Sequence, residues 1–297
     1  MLTLQNDRLR VEIAEPGEAP NTGFRFDRAG FIADVVLDGA HSFCTSEPLN
    51  LIHPSSGGRG LCCEYQCDLS GEVADGEYYP KFGVGLIRKD GAYVFHRQYA
   101  DVREFPVRIE TEDNGITFTT EPVECLGYAL RAVKKISLDG TKIMLEGQIE
   151  NAGEKELTIR EYCHNFLSPG GMAISPDYQF LFPTAGILAG ERAELKNNYP
   201  GPVNFEFTRD GVQIRRCETA VSLSDIPVEH IASQNPFCYT LLHKSTGLSV
   251  HGEDQIDVSG ITLWETDHVF SPEIFQTISL SATEKAAWSR SWTFVRE

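Results

Sequence analysis

The chain has 297 residues, a soluble globular composition (41% hydrophobic, 23% charged) and a formal net charge of −17 at pH 7. That charge argues against a nucleic-acid partner, which needs a basic surface to neutralise phosphates, and it disfavours anionic membrane surfaces and acidic polymers. The opening residues, Met1 to Asp7, lack the basic and apolar regions of a secretory signal, and no apolar run approaches the roughly 18 residues of a membrane span.

Eight cysteines without a secretion signal lead us to expect reduced thiols and a cytoplasmic location. Cys62, Cys63 and Cys67 make a poor zinc site: the adjacent pair points to opposite faces of a strand, and no second Cys-x-x-Cys accompanies them.

Taken in order, Leu2, Leu4, Leu9, Val11 and Ile13 alternate and predict one or two strands, followed by a polar loop from Glu15 to Gly23. Phe24 to Asp27 and Phe31 to Leu37 read as strands, and Asp38-Gly39 as a hairpin turn. Pro54 to Gly60 is a loop, and an irregular stretch from Leu69 to Pro80 leads into Lys81 to Arg88. From Tyr93 onward the strand signal is almost unbroken, with Phe105/Val107/Ile109, Ile116/Phe118 and Ile143/Leu145/Ile149 at period two. Turns fall at Asp113-Asn114-Gly115 and Asp139-Gly140.

Residues 172–235 are less regular, and Leu188 to Asn197 and Val221 to Val228 are the two places where short helices are expected. The chain closes with Phe275 to Leu280 and with Trp288, Arg290, Trp292 and Phe294 on one strand face. Frequent turns and few helices predict an all-β protein, a large antiparallel β-sandwich in a single domain over residues 1–297. Such sandwiches can bind ligands in a groove across one sheet, lined by every second strand residue.

One stretch stands out. Between Thr158 and Gly171 a strand carries Arg160, Glu161, His164 and Asn165 before stopping at Pro169-Gly170-Gly171. Alternation puts Arg160, Tyr162, His164 and Phe166 on one face and Ile159, Glu161, Cys163 and Asn165 on the other. So many polar groups make poor core material, because buried polar atoms need partners; the stretch reads either as a site or as a hydrogen-bonded structural strand.

Four ordered segments carry a resemblance: Asn21 to Asp27 with Gly30-Phe31-Ile32, Lys81 to Leu86, Glu161 to Phe166, and Ser271-Pro272-Glu273-Ile274-Phe275, closed by Trp288 to Phe294. Together they resemble galactose mutarotase-like proteins, in particular a bacterial branch related to aldose 1-epimerases. The resemblance implies a supersandwich fold and interconversion of the α and β anomers of an aldose or sugar derivative. It implies that Glu273 takes the proton of the anomeric hydroxyl and that His164 protonates the ring oxygen. It also suggests Arg59 and His96 as sugar-hydroxyl contacts.

The chain departs from the better known members. It lacks an Asn-His-Leu-His-Gly-Gly-like stretch, a Gly-Arg-Tyr-Ala-Asn-Arg-like stretch and a Glu-Pro-Gln-like motif near its end. Sugar contacts therefore differ, and galactose is not implied.

Ring opening moves protons at two oxygens about 2.3 Å apart, which a positioned acid and base can do without metal or organic cofactor. No cofactor is expected, and the expected partner is a small-molecule sugar. Asn165, Glu161, Trp264 and Lys81 join Arg59 and His96 as candidate substrate contacts, Glu161 also as a source of acidic surroundings for His164. Trp264, Tyr99 and Phe166 could stack on a sugar or belong to the core. Glu265 is an alternative base, Glu64 a hydroxyl partner or one half of an ion pair, and Lys81 with Arg88 a phosphate contact or a solvated face. Two other readings stay open: a carbohydrate-binding or sensing protein without turnover, and a sugar isomerase or lyase on the same fold.

Overall fold

Apolar residues at every second position need a sheet with one face covered, and two large sheets supply that in the computed structural model of the protein. Described are residues 1–18, 25–47, 56–94, 96, 99, 101–182, 197–201, 203–215, 220–226 and 235–297. The first sheet runs, in spatial order, through Leu2–Gln5, Leu9–Ala14, Phe31–Leu37, Leu61–Gln66, Leu157–Asn165, Phe270–Leu280, Val258–Glu265 and Val221–Ile226, with the short His41–Ser42 pairing Phe31–Leu37. The second sheet orders Phe205–Phe207, Gly211–Ile214, Tyr178–Leu181, Phe237–His243, Leu248–Gln255, Lys285–Arg296, Lys142–Asn151, Leu130–Asp139, Gly115–Thr120 and Val107–Glu112. A small third sheet joins Tyr78–Lys81, Gly85–Arg88 and Val102–Glu104.

Neighbouring strands are antiparallel, as at Lys142–Asn151 against Lys285–Arg296. Burial in the first of these two reads iBeBeBeBiB, the alternation of a sheet with one covered face. The main core draws its buried side chains from both large sheets, with Ile143, Leu145, Ile149, Trp292 and Phe294 from the second facing Val11, Val35, Ile159, Cys163 and Ile274 from the first. A separate apolar cluster of Ala14, Phe26, Phe31, Ala33, Cys62, Phe166, Trp264 and Val269 belongs to the other face of the first sheet. The two faces of Leu157–Asn165 thus serve two different environments: Ile159 and Cys163 the main core, Phe166 just past its end the second cluster.

Three expectations change. Arg25 to Asp27, the described part of the expected Phe24–Asp27 strand, form a bend and loop whose polar side chains are buried. Val221 to Val228 is not a helix: Val221–Ile226 is a strand pairing Val258–Glu265, because Val221, Leu223 and Ile226 are the buried set and the serines between them point away. The helix expected from Leu188 to Asn197 lies outside the described residues except for Asn197. Among the described residues after Tyr93, the first strand begins at Val102.

Glu273 lies inside Phe270–Leu280, one residue after a proline. Pro272 explains how a proline fits there. Its carbonyl accepts a hydrogen bond from Asn165 Nδ2 at 2.6 Å, so it faces the Leu157–Asn165 strand. A strand residue's N–H and C=O point to the same side, so the missing donor also lies on that edge, and the backbone ladder ends at Tyr162↔Phe275. On the other edge pairing with Val258–Glu265 continues through Leu263↔Pro272 to Glu265↔Phe270.

Candidate active site

Where the ladder stops, side chains take over. Continuing the Tyr162↔Phe275 register by two residues sets His164 opposite Glu273. There Asn165 bridges to the Pro272 carbonyl through its side chain and donates its backbone N–H to Ser271 Oγ at 3.1 Å. His164 Nε2 lies 3.1 Å from Glu273 Oε1, and its Nδ1 lies 2.8 Å from Ser271 Oγ. The two side chains are 3% and 8% exposed, so this is a nearly dry pair at the wall of an opening.

The imidazole is fixed on its faces as well as its edges. The Phe166 ring stacks on it at 4.0 Å between centroids and 3° between planes. Trp264 and Phe26 meet it edge-on at 5.3 and 5.8 Å. Close backbone approach supports this stack. A Cβ on Gly58 would lie 2.1 Å from the Phe166 ring, and one on Gly60, at φ +63°, would lie 2.1 Å from the Ile32 carbonyl oxygen.

A cavity of about 560 Å³ opens beside the pair. Among the described residues it is lined by His164 and Glu273, by Arg25, Glu47, Gln66, His96, Arg160 and Tyr162, and by Asn198, Tyr199, Ser222, Ser224, Thr262, Trp264 and Phe275. Aromatic faces alternate with polar groups, as a sugar's apolar faces and hydroxyl edge require. Trp264 Nε1 donates to the Tyr199 hydroxyl at 3.3 Å, and the Arg160 guanidinium lies over the Phe275 ring at 3.8 Å, which in turn stacks on Tyr162.

Buried charge surrounds the pair. Arg25 donates from Nε to Glu64 Oε2 at 3.0 Å, from Nη2 to the Tyr162 hydroxyl at 2.7 Å and from Nη1 to Ser56 Oγ at 3.3 Å. Tyr162 donates in turn to Glu64, and Lys81 Nζ reaches Glu64 Oε1 and the Tyr93 hydroxyl, both at 3.5 Å. Burial pushes the Glu273 carboxyl up to about 8; Arg25 and Arg160 pull it down and Glu64 adds to the rise. Burial, with Arg25 nearby, holds the His164 imidazole well below its usual range. Each group therefore favours its neutral form, whereas the sequence suggested an ionised glutamate beside an imidazolium.

Of the residues put forward from the sequence as catalytic groups or substrate contacts, His164, Glu273, His96 and Trp264 come together at the cavity. The others do not. Glu161 is on the opposite strand face, where Arg290 Nη2 and Gln276 Nε2 donate to its Oε2 at 2.7 and 2.9 Å and Arg290 Nη1 lies 2.9 Å from Asp254 Oδ2. It is part of an ion cluster between the sheets, and period-two alternation is the reason it cannot share a surface with His164. Asn165 faces the same way and ties two strands together as described above, without lining the cavity. Arg59 lies in a bridge with Ser46 and donates to the Ala33 carbonyl at 3.0 Å, which turns it away from the opening. Lys81 is 1% exposed, pairs with Glu64 and does not line the cavity.

The alternative base, Glu265, is fully buried and follows Trp264 on its strand, so alternation again takes it to the other face. Phe166 is a platform beneath His164, and Tyr99 is buried with its hydroxyl on the Val94 carbonyl. Arg88 is exposed and donates to the Gly76 carbonyl. Among the described residues no group of three His, Cys, Asp or Glu side chains is placed to hold a metal ion.

Sequence reasoning passed over Arg25, Gln66, Arg160, Tyr162, Thr262, Ser271 and Phe275 as site residues. Two signals were available. Arg160 and Tyr162 share His164's face at period two, and Ser271 and Phe275 flank Glu273 within one short segment. Gln66 and Thr262 lie on the strands that carry Glu64 and Glu265, where the carboxylates drew the attention instead.

No family model matches the chain, and no curated protein matches it. Solved structures do. A galactose mutarotase-like protein from Lactobacillus casei superposes with a TM-score of 0.57 at 14% identity, covering 99% of this chain and 100% of the other. A galactose mutarotase related enzyme from Lactobacillus acidophilus gives 0.60 at 12% identity, with 99% and 97% covered. An aldose epimerase homologue from C. elegans gives 0.54 at 10%, with 99% and 98% covered. Similarity over whole chains at such low identity is similarity of architecture: this protein has the all-β fold of galactose mutarotase-like proteins.

Proposed function

We propose that the protein interconverts the α and β anomers of an aldose or sugar derivative by acid–base opening of the ring. One observation carries the reading: His164 and Glu273, on two strands far apart in the chain, meet at 3.1 Å on the wall of a cavity large enough for a sugar. With its own proton passed across the 3.1 Å contact to His164 Nε2, Glu273 takes the proton of the anomeric hydroxyl and the His164 imidazolium protonates the ring oxygen, which returns both groups to their neutral forms. Trp264 and Phe275 offer apolar faces, while Gln66, His96 and Thr262 offer hydrogen-bonding groups to the hydroxyls.

The fold supports this reading because its structural neighbours include a galactose mutarotase related enzyme. The test is saturation-transfer NMR of anomer exchange over a panel of reducing sugars and sugar phosphates. Glu273→Gln and His164→Asn are each expected to slow exchange by at least ~10²-fold, the low end for a lost acid–base group. Tight sugar binding with no exchange above buffer in the unaltered protein would instead identify a binding protein.

A further inference from the structure

A buried carboxylate stands behind the pair. Glu64, on Leu61–Gln66, is the register partner of Tyr162, and the next residue on its face, Cys62, is that of His164. Glu64 is wholly buried and does not line the cavity. Arg25 Nε donates to its Oε2 at 3.0 Å, Lys81 Nζ to its Oε1 at 3.5 Å, and the Tyr162 hydroxyl donates to Oε2 as well. Arg25 spans from this carboxylate to the surroundings of His164. Its Nη2 donates to the Tyr162 hydroxyl at 2.7 Å, and its guanidinium lies over the Phe26 ring at 4.7 Å. Both rings adjoin the imidazole, at 6.2 Å for Tyr162 and 5.8 Å for Phe26 between centroids. The guanidinium is therefore within roughly 10 Å of His164, and burial leaves little water to screen it.

That nearness bears on the anomer exchange proposed above, on which this inference rests. His164 must hold the proton received from Glu273 before it protonates the ring oxygen, and an imidazolium beside a guanidinium is a pair of like charges. At an effective dielectric constant of ~20, a unit charge ~10 Å away moves a titration by about one pH unit, a tenfold change in the ratio of protonated to neutral ring. We infer that Glu64 is a positioning residue: it holds Arg25 against Tyr162 and offsets the guanidinium charge, so that His164 can accept the proton of Glu273. The lowering of the His164 imidazole by burial and then by Arg25 agrees with this. The other charged or titratable groups around the imidazole are Glu273 on the neighbouring strand, Tyr162 and Arg160 on its own, Cys62 with its thiol on the His164 carbonyl, and Glu47 and His96 at the cavity wall. Lys81, on the second oxygen of Glu64, adds a positive charge that works against it.

The test is a pH titration of the full-length protein with ¹⁵N-labelled histidine, followed by NMR without sugar, the His164 signals being identified by their loss in His164→Asn. Glu64→Gln keeps the shape and removes the negative charge; it is expected to lower the His164 midpoint by about one pH unit. Lys81→Met removes the opposing positive charge and is expected to raise the midpoint by a similar amount. The double variant, whose net charge equals that of the unaltered protein, is expected to return to within about 0.3 unit of it, a twofold change. Should Glu64→Gln fail to fold because it leaves buried cations less well matched, Lys81→Met and the double variant carry the comparison. Shifts of one sign in both single variants, a midpoint that does not move in Lys81→Met, or a double variant that does not return overturn the inference and leave Glu64 a structural ion-pair partner. In anomer exchange Glu64→Gln is expected to lose about tenfold in kcat with KM within about twofold; a loss confined to KM overturns the role in proton transfer. The titration needs no turnover, so a protein that exchanges no sugar would remove the functional reading and leave the charge coupling of Glu64 to His164 to be judged by NMR.

Discussion

Replacing Glu273 with Gln should make the protein more stable at alkaline pH while removing its activity. The Glu273 carboxyl titrates near 8 in the folded protein against an ordinary 4.5. Below 4.5 folded and unfolded chains both hold the proton, and the shift has no effect. Between the two values the unfolded chain releases it and the folded chain keeps it, so the unfolded state binds fewer protons and stability falls as pH rises, by up to about 1.4 kcal/mol per pH unit. Over some three and a half units this reaches on the order of 5 kcal/mol, and it is fully felt above pH 8. Gln has the same shape, does not titrate and keeps a side-chain amide within hydrogen-bonding reach of His164 Nε2. Urea denaturation of both proteins from pH 5 to 9, followed by tryptophan fluorescence, reads the difference. Asp254 and the other titrating groups are common to both and largely cancel. The variant should gain on the unaltered protein steadily between pH 5 and 8 and then level off. Parallel curves over that range would refute the claim that Glu273 is held as a buried acid.

Three further outcomes are expected. Arg290→Met strips the cation from Glu161 and Asp254 between the sheets and should cost about 3–5 kcal/mol in urea denaturation, as loss of one partner of a buried ion pair does. Gly58→Ala drives a methyl group into the Phe166 ring and should cost about 1–3 kcal/mol by thermal unfolding; because Phe166 underlies His164, anomer exchange should fall as well. Trp264→Ala removes an aromatic face from the cavity and should raise KM for the sugar by roughly tenfold with kcat less affected, at about 1.4 kcal/mol for a lost stacking contact.

The alternation of apolar residues was enough to read an all-β sandwich, because a strand with one buried face must repeat at period two whatever its partners are. The same rule separated the two faces of Leu157–Asn165 and so put His164 with Tyr162 and Arg160, away from Glu161. It failed at Val221–Ile226, where a short Val-Ser-Leu-Ser run can be drawn as either helix or strand until a neighbour such as Val258–Glu265 offers a ladder. Periodicity had nothing to say about Arg59, which came from the resemblance, or Lys81, since a cation's place at a cavity wall or behind it depends on which carboxylate or carbonyl lies within reach.

What composition and periodicity determined by themselves was the class of fold and the face that each site residue occupies, since both follow from local backbone geometry. The motif resemblance added the names of the two side chains that meet. Only the tertiary structure decided that Pro272 halts the ladder so that His164 and Glu273 confront each other, that Ser271 occupies the far edge of the imidazole, and that both groups are dry enough to favour their neutral forms. Those outcomes depend on distances of a few ångströms between strands far apart in the chain, and on how much water is excluded there, and neither is written in the order of the residues.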